Sequence, residues 1–218
     1  MYVLIPLCLC FALSLLKQEN REHYVAAVLL KGFASLCFVI LGILCSTGTS
    51  TARLILIGLI FGCIADVLLN LRRLSATKGQ LIFLVGILVF LSGHIVYLAA
   101  ILPMCRNWIL CFIIGATLTA LLMVWIFKRI SAKKVFKIFG VFYIGAIMIL
   151  NSTAIGNLIT SPAAFTAIFA VGAVLFLVSD VVLILNTFGS ESKYSLRIVN
   201  IVLYYIGQLL IALSLQFI

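Results

Sequence analysis

The chain has 218 residues, of which 66% are hydrophobic and 9% charged, whereas a soluble domain carries about 25% charged residues. Its mean hydropathy of +1.37 excludes a water-facing exterior, so lipid covers most of the surface. The net charge of +10 does not point to nucleic acid. The bases sit in short loops between apolar runs, where they set topology and meet anionic headgroups. No polar stretch is long enough to form an extramembrane domain. The expectation is a single transmembrane domain over residues 1–218, all-α, a polytopic bundle of about eight helices.

About 20 apolar residues span the hydrocarbon. The runs fall near 2–16, 24–45, 53–71, 80–101, 107–127, 134–152, 162–186 and 196–217. The first is short. It lacks a basic leader and a small-residue cleavage site, and reads as a retained helix. Lys17 and Arg21 follow the first run, and Arg72, Arg73 and Lys78 the third. Lys128, Arg129, Lys133, Lys134 and Lys137 follow the fifth, and Lys193 and Arg197 the seventh. Only Arg53 and Arg106 lie on the other side, and Lys31 lies inside the second run. The basic connections are therefore read as cytoplasmic and both termini as outside. Membrane lipids are the expected neighbours, and a bacterial inner membrane the expected host. Asn151-Ser152-Thr153 has the form of an outer-side glycosylation sequon, too close to the membrane to carry weight. The seven cysteines lie mostly in apolar runs without C-x-x-C spacing. They read as small membrane hydrophobes, and no metal site is expected.

The acids are Glu19, Glu22, Asp66, Asp180 and Glu191. Asp66 and Asp180 alone fall inside apolar runs, the third and the seventh. A charge at mid-membrane costs from about 3 to over 10 kcal/mol, and such residues face a bundle interior. Counting the rise per residue from the cytoplasmic helix ends puts Asp66 roughly 8 Å and Asp180 roughly 9 Å deep. Lys31 lies roughly 10 Å in, and Tyr143, Tyr204 and Tyr205 roughly 13 Å in. His94 and Gln208 lie deeper. Asn70 and Ser179 stand near the aspartates in sequence and complete the candidate set. Taken singly, each has a plainer reading. A tyrosine suits the interfacial belt, Lys31 can snorkel to the headgroups, and His94 can bond helix to helix. Their convergence at one depth points to a site.

At one constant offset Gly58 superposes on Gly172, Asp66 on Asp180, Gly93 on Gly207 and His94 on Gln208. This predicts a parallel repeat of the third and fourth helices in the seventh and eighth, with the aspartates facing a central cavity.

These same segments carry a family resemblance. Gly58-Leu-Ile-Phe-Gly-Cys-Ile-Ala-Asp66-Val-Leu-Leu resembles the first signature of the YhhN-like, or lysoplasmalogenase, membrane proteins. Phe83 to Tyr97, with Ser92-Gly93-His94, is similar to the second, and Gly172 to Ser179-Asp180 to the third. Tyr204-Tyr205-Ile-Gly-Gln208 is similar to the last. The resemblance runs in order through the third to eighth runs. The chain departs from the family at Ala65, where glycine is frequent, and at Lys31-Gly32, where Lys-Pro is frequent. The resemblance implies hydrolysis of the vinyl ether bond of lysoplasmalogens to a fatty aldehyde and glycerophosphoethanolamine or glycerophosphocholine, with no cofactor.

The residues suit that chemistry. A vinyl ether is cleaved by protonation of its β-carbon, addition of water to the oxocarbenium ion and collapse of the hemiacetal. This needs one carboxylic acid and one carboxylate, and two carboxyls in a low-dielectric cavity supply both. Asp66 and Asp180 are the expected catalytic pair. Tyr143, Tyr204, Tyr205, His94, Gln208, Ser179 and Asn70 are candidates for binding substrate or water. Lys31 and the basic loops are candidates for holding the lysophospholipid phosphate, with entry from the cytoplasmic leaflet. The alternative is a proton-coupled transporter, since intramembrane acids in a repeated fold suit alternating access. Against it, the helices are few and none is plainly broken. The Gly-x-Gly-Asp of intramembrane aspartyl proteases is missing, since the residues here are Cys63-Ile-Ala-Asp66 and Leu177-Val-Ser-Asp180.

Overall fold

A computed structural model describes residues 1–75 and 77–218. Eight α-helices follow in order: α1 Leu4–Asn20, α2 Tyr24–Cys45, α3 Ser50–Leu71, α4 Gly79–Ile101, α5 Trp108–Phe127, α6 Lys134–Thr160, α7 Ala164–Phe188 and α8 Tyr194–Ser214. Seven of them, α2 to α8, are long and apolar enough to cross a membrane. The chain is an integral membrane protein. The expectation of about eight spans is reduced by α1, whose 17 residues leave it outside that set. Inside hydrocarbon each backbone polar group must be bonded within the protein, and unbroken helices meet that demand. Among the described residues there is no strand. The lone backbone bridge joins Ile130 to Gly189 and ties the α5–α6 connection to the end of α7.

Among the helix ends that differ from the sequence reading, three have a clear local reason. Helix α1 runs on past residue 16 because Glu19 is drawn under Arg197, whose Nη2 and Nε donate to its carboxylate at 2.8 and 2.9 Å. Helix α3 starts before residue 53 because the Thr49 hydroxyl accepts from Ala52 N at 3.2 Å and caps it. Helix α6 continues from 152 to Thr160 because its polar stretch turns inward. Asn151 Nδ2 donates to Ile147 O at 2.8 Å, Ser152 Oγ to Cys111 O at 2.7 Å, and Asn157 Nδ2 to Ile101 O at 2.9 Å. It ends at Ser161, which precedes Pro162 and is thereby turned from the helical region. Asn151 is buried, so the sequon lies inside the fold and is closed to glycosylation.

The two most intimate helix pairs are α3 with α4 and α7 with α8. Between membrane helices, small residues set how closely backbones approach. A Cβ on Gly172 would lie 2.9 Å from Gly207 O, and one on Gly207 would lie 2.9 Å from Gly172 O. A Cβ on Gly93 would lie 3.4 Å from Gly58 O. The glycines that superpose in sequence are therefore the points where each pair touches. The pattern extends further than expected. Helix α2 packs on α3 and α8, and α6 packs correspondingly on α7 and α4. Each of these contacts recurs four helices later.

Overpacking a close contact costs about 1–3 kcal/mol. Gly172→Ala should lower the melting temperature in detergent accordingly, and unchanged melting would contradict the α7–α8 contact.

Candidate active site

Asp66 is carried inward on α3 and is 1% exposed. Lys31 Nζ lies 3.0 Å from its Oδ1. Ser35 Oγ and Tyr204 OH donate to Oδ2 at 2.5 and 2.7 Å. Lys31 and Ser35 are four residues apart on α2, so both project from one face. Lys31 is 5% exposed. It pairs with Asp66 and does not snorkel. Tyr205 lies behind this group, its hydroxyl 3.3 Å from Ser35 Oγ and donating to Lys31 O at 3.4 Å.

Asp180 on α7 is buried as well, but its partners differ. Tyr143 OH donates to Oδ2 at 2.5 Å. His94 Nε2 lies 3.3 Å from Tyr143 OH and 3.9 Å from Oδ2. Since the phenol proton is given to Asp180, the bond to Tyr143 requires its proton on His94 Nε2, and buried Nδ1 has no partner. On the other side, Tyr97 OH donates to Gln208 Oε1 at 3.0 Å, and Gln208 Nε2 donates to Tyr204 OH at 3.3 Å. The superposed pair His94 and Gln208 thus hold equivalent places, each one tyrosine away from an aspartate. The cation is not duplicated: at the repeat offset Lys31 corresponds to Gly145.

Both aspartates line one cavity of about 30 Å³, together with Lys31, Asn70, Arg72, Arg73, Arg197 and Tyr204. An apolar cavity of about 60 Å³ lies among α4, α5, α6 and α7, walled by Phe83, Phe90, Met123, Phe136 and Ile184, with Tyr143 and Asp180 also in its wall. Leu69, Phe83, Phe90, Asp180 and Leu183 belong to both, so the cavities meet at Asp180. Asn70 is buried in the wall of the aspartate cavity, with Nδ2 unpartnered. Ser179 stands apart from the other candidates. Its Oγ donates to Asn200 O at 3.0 Å, and Asn200 Nδ2 returns bonds to Ser179 O and Oγ at 3.0 and 2.8 Å. It locks α7 to α8.

Sequence reasoning missed Ser35, which the four-residue spacing from Lys31 signals, and Tyr97, the neighbour of Gln208. It also missed the Glu19 clamp, whose partners are 178 positions apart and leave no local pattern.

A model of the YhhN family matches residues 26–215. The chain belongs to the YhhN family. No curated protein and no solved structure matches it significantly. The match begins within α2, so α3 to α8, most of α2 and both aspartates of this YhhN protein lie inside it, while α1 lies outside.

Two predictions concern the charges. Removing one partner of a buried ion pair costs about 3–5 kcal/mol. Lys31→Met should therefore destabilise the protein strongly, and adding Asp66→Asn should recover much of the loss, as read by melting in detergent. Glu19 lies beyond the apolar run of α1. Burial pushes its carboxyl up, but Arg197, with Arg73 behind it, outweighs this and holds it at about 2, against an ordinary 4.5. A lowered acid stabilises fully above its unfolded value and stops doing so as pH falls through the folded one. The melting advantage of wild type over Glu19→Gln should shrink between pH 4.5 and about 2. An advantage independent of pH would exclude the ion pair as its source.

Proposed function

We propose that this YhhN protein is a hydrolase that cleaves the vinyl ether bond of lysoplasmalogens, releasing a fatty aldehyde and glycerophosphoethanolamine or glycerophosphocholine. The observation that carries the proposal is the meeting of a basic cavity and an apolar cavity at Asp180, with Asp66 in the wall of the basic one. A lysoplasmalogen divides in the same way. Its alkenyl chain is apolar, its glycerophosphate is anionic, and the vinyl ether is the junction between them.

The two donor sets divide the roles. Asp66 faces an ammonium and two hydroxyl donors, the surroundings of a carboxylate. Asp180 accepts one phenolic hydrogen bond, and among the described residues no lysine or arginine pairs with it. Asp180 is accordingly the proton donor. It delivers its proton to the vinyl carbon remote from oxygen, the double-bond electrons form the new C–H bond, and the ether oxygen shares the resulting positive charge. Asp66 and the newly ionised Asp180 stabilise this oxocarbenium ion across low-dielectric surroundings. Water adds at the carbon bonded to oxygen, and its released proton returns to Asp180. The hemiacetal hydroxyl proton then passes by way of the carboxyls to the glycerol oxygen. The C–O bond breaks, leaving aldehyde and alcohol, with one water consumed. The cavity volume of about 30 Å³ exceeds the roughly 10–15 Å³ that one water needs. Tyr143 holds Asp180 in place, and His94 holds Tyr143.

The basic connections are taken as cytoplasmic, both termini as outside and the host as a bacterial inner membrane. Substrate then enters from the cytoplasmic leaflet.

The test is aldehyde release from a lysoplasmalogen by purified protein in detergent. General acid–base groups contribute about 10²- to 10⁴-fold, so Asp180→Asn and Asp66→Asn should each lose at least the lower figure in kcat. Folded wild type that releases no aldehyde would overturn the proposal in favour of proton-coupled transport. Full activity in either variant would overturn the two-aspartate mechanism.

A further inference from the structure

We infer that Arg72 and Asn70 form a phosphate subsite at the mouth of the aspartate cavity, one that takes the phosphodiester of a lysophospholipid. The inference rests on the ether-hydrolase reading for the identity of the lipid, but not for the existence of the subsite.

Four cations line that cavity, and three are already matched. Lys31 pairs with Asp66 at 3.0 Å. Arg197 makes two bonds to Glu19 and a third to Asn200 Oδ1 at 3.0 Å. Arg73 Nη1 lies 3.8 Å from Glu19 Oε1. Arg72 pairs with no acid among the described residues. Its guanidinium lies against the Phe83 ring, Cζ 4.2 Å from the ring centroid. Such stacking fixes the plane of the fork while leaving its N–H edge free. Two residues earlier, Asn70 is 4% exposed and its Nδ2 has no partner. A buried donor left unpaired is costly. One unmatched cation and one unmatched amide donor in the same wall call for a ligand that only accepts and carries negative charge. A phosphate group answers both demands, and arginine suits it through two parallel N–H bonds.

The spacing agrees with the substrate. Along α3 and the turn that extends it, Asn70 and Arg72 lie about 6 and 9 Å beyond Asp66 toward the cytoplasmic end. In a lysoplasmalogen six bonds separate the carbon attacked by water from phosphorus. At the reach of a peptide chain per three bonds, that is roughly 7 Å when extended. A lipid with its vinyl ether at the aspartates therefore brings its phosphate to Asn70 and Arg72. Lys31 pairs with Asp66, so the phosphate-holding role considered for it passes to Arg72.

The experiment compares a lysoplasmalogen with 1-alkenylglycerol, which has the same vinyl ether without phosphate. Hydrogen bonds to a charged group are worth about ten- to a hundredfold. Arg72→Gln should reduce the kcat/KM preference for the phosphorylated substrate by at least the lower figure, mainly through KM. Asn70→Ala should reduce it less, and Arg72→Lys should restore part of it. Equal losses on both substrates, or an unchanged preference, would overturn the subsite. A second measurement does not need turnover: the melting shift given in detergent by acyl lysophosphatidylethanolamine, monoacylglycerol, glycerophosphate and inorganic phosphate. The lysophospholipid should stabilise wild type more than monoacylglycerol does, and Arg72→Gln and Asn70→Ala should lose the difference. That result would sustain the subsite even if no vinyl ether were cleaved. A shift from inorganic phosphate or glycerophosphate as large as that from the lysolipid would overturn the lipid as its source.

Discussion

The 3.0 Å contact between the Lys31 ammonium and the Asp66 carboxylate is the constraint around which the half of the bundle nearest the basic connections is built. Neither charge is tolerable alone at that depth, and the pair repays its desolvation only when the remaining lone pairs are also bonded. Ser35 and Tyr204 supply those bonds, and in doing so draw α2, α3 and α8 to one point. Tyr204 is in turn held by Gln208, and Gln208 by Tyr97. Four helices are thereby fixed by a single anion, with each donor occupied in one direction.

The second aspartate shows what happens to the same scaffold without the cation. The helix contacts, the glycine pairs and the place of His94 opposite Gln208 all repeat. Where α2 brings Lys31, however, α6 brings Gly145 at the equivalent position and Tyr143 half a turn away. A phenol offers one hydrogen bond and no charge. The repeat places two carboxyls in one cavity, and a lysine beside Asp66 with no counterpart beside Asp180 makes their surroundings chemically unlike.

The helices, the buried aspartates and the repeat were legible because hydrocarbon imposes harsh rules: apolar length for a span, and a partner for each polar group. The ends of α6 and α1 were not legible. Asn151, Ser152 and Asn157 look like a polar exit until the bundle supplies Ile147, Cys111 and Ile101 carbonyls for them. Glu19 looks like a loop acid until Arg197 arrives from the far end of the chain. Depth arithmetic placed Lys31 beside the aspartates, but only the structure separates pairing with Asp66 from reaching for headgroups. Ser179 marks the opposite limit. Adjacent in sequence to Asp180, it points around the helix to Asn200 and fastens α8.

The clamp of Glu19 on Arg197 is matched at the other end of α1, where Tyr2 OH donates to Gln216 Oε1 at 3.4 Å. The first and last helices are therefore joined near both ends, and with α2 packed on α8 and α4 on α6 the bundle closes on itself. In such a circuit the order of the two halves along the chain is arbitrary. A chain opened between α4 and α5 and rejoined across Tyr2 and Gln216 would read the second half first and still preserve each helix pairing around both aspartates. The architecture is thus that of two similar four-helix halves, each completing the other's aspartate: Tyr204 of the second half bonds Asp66, and His94 of the first lies 3.9 Å from Asp180.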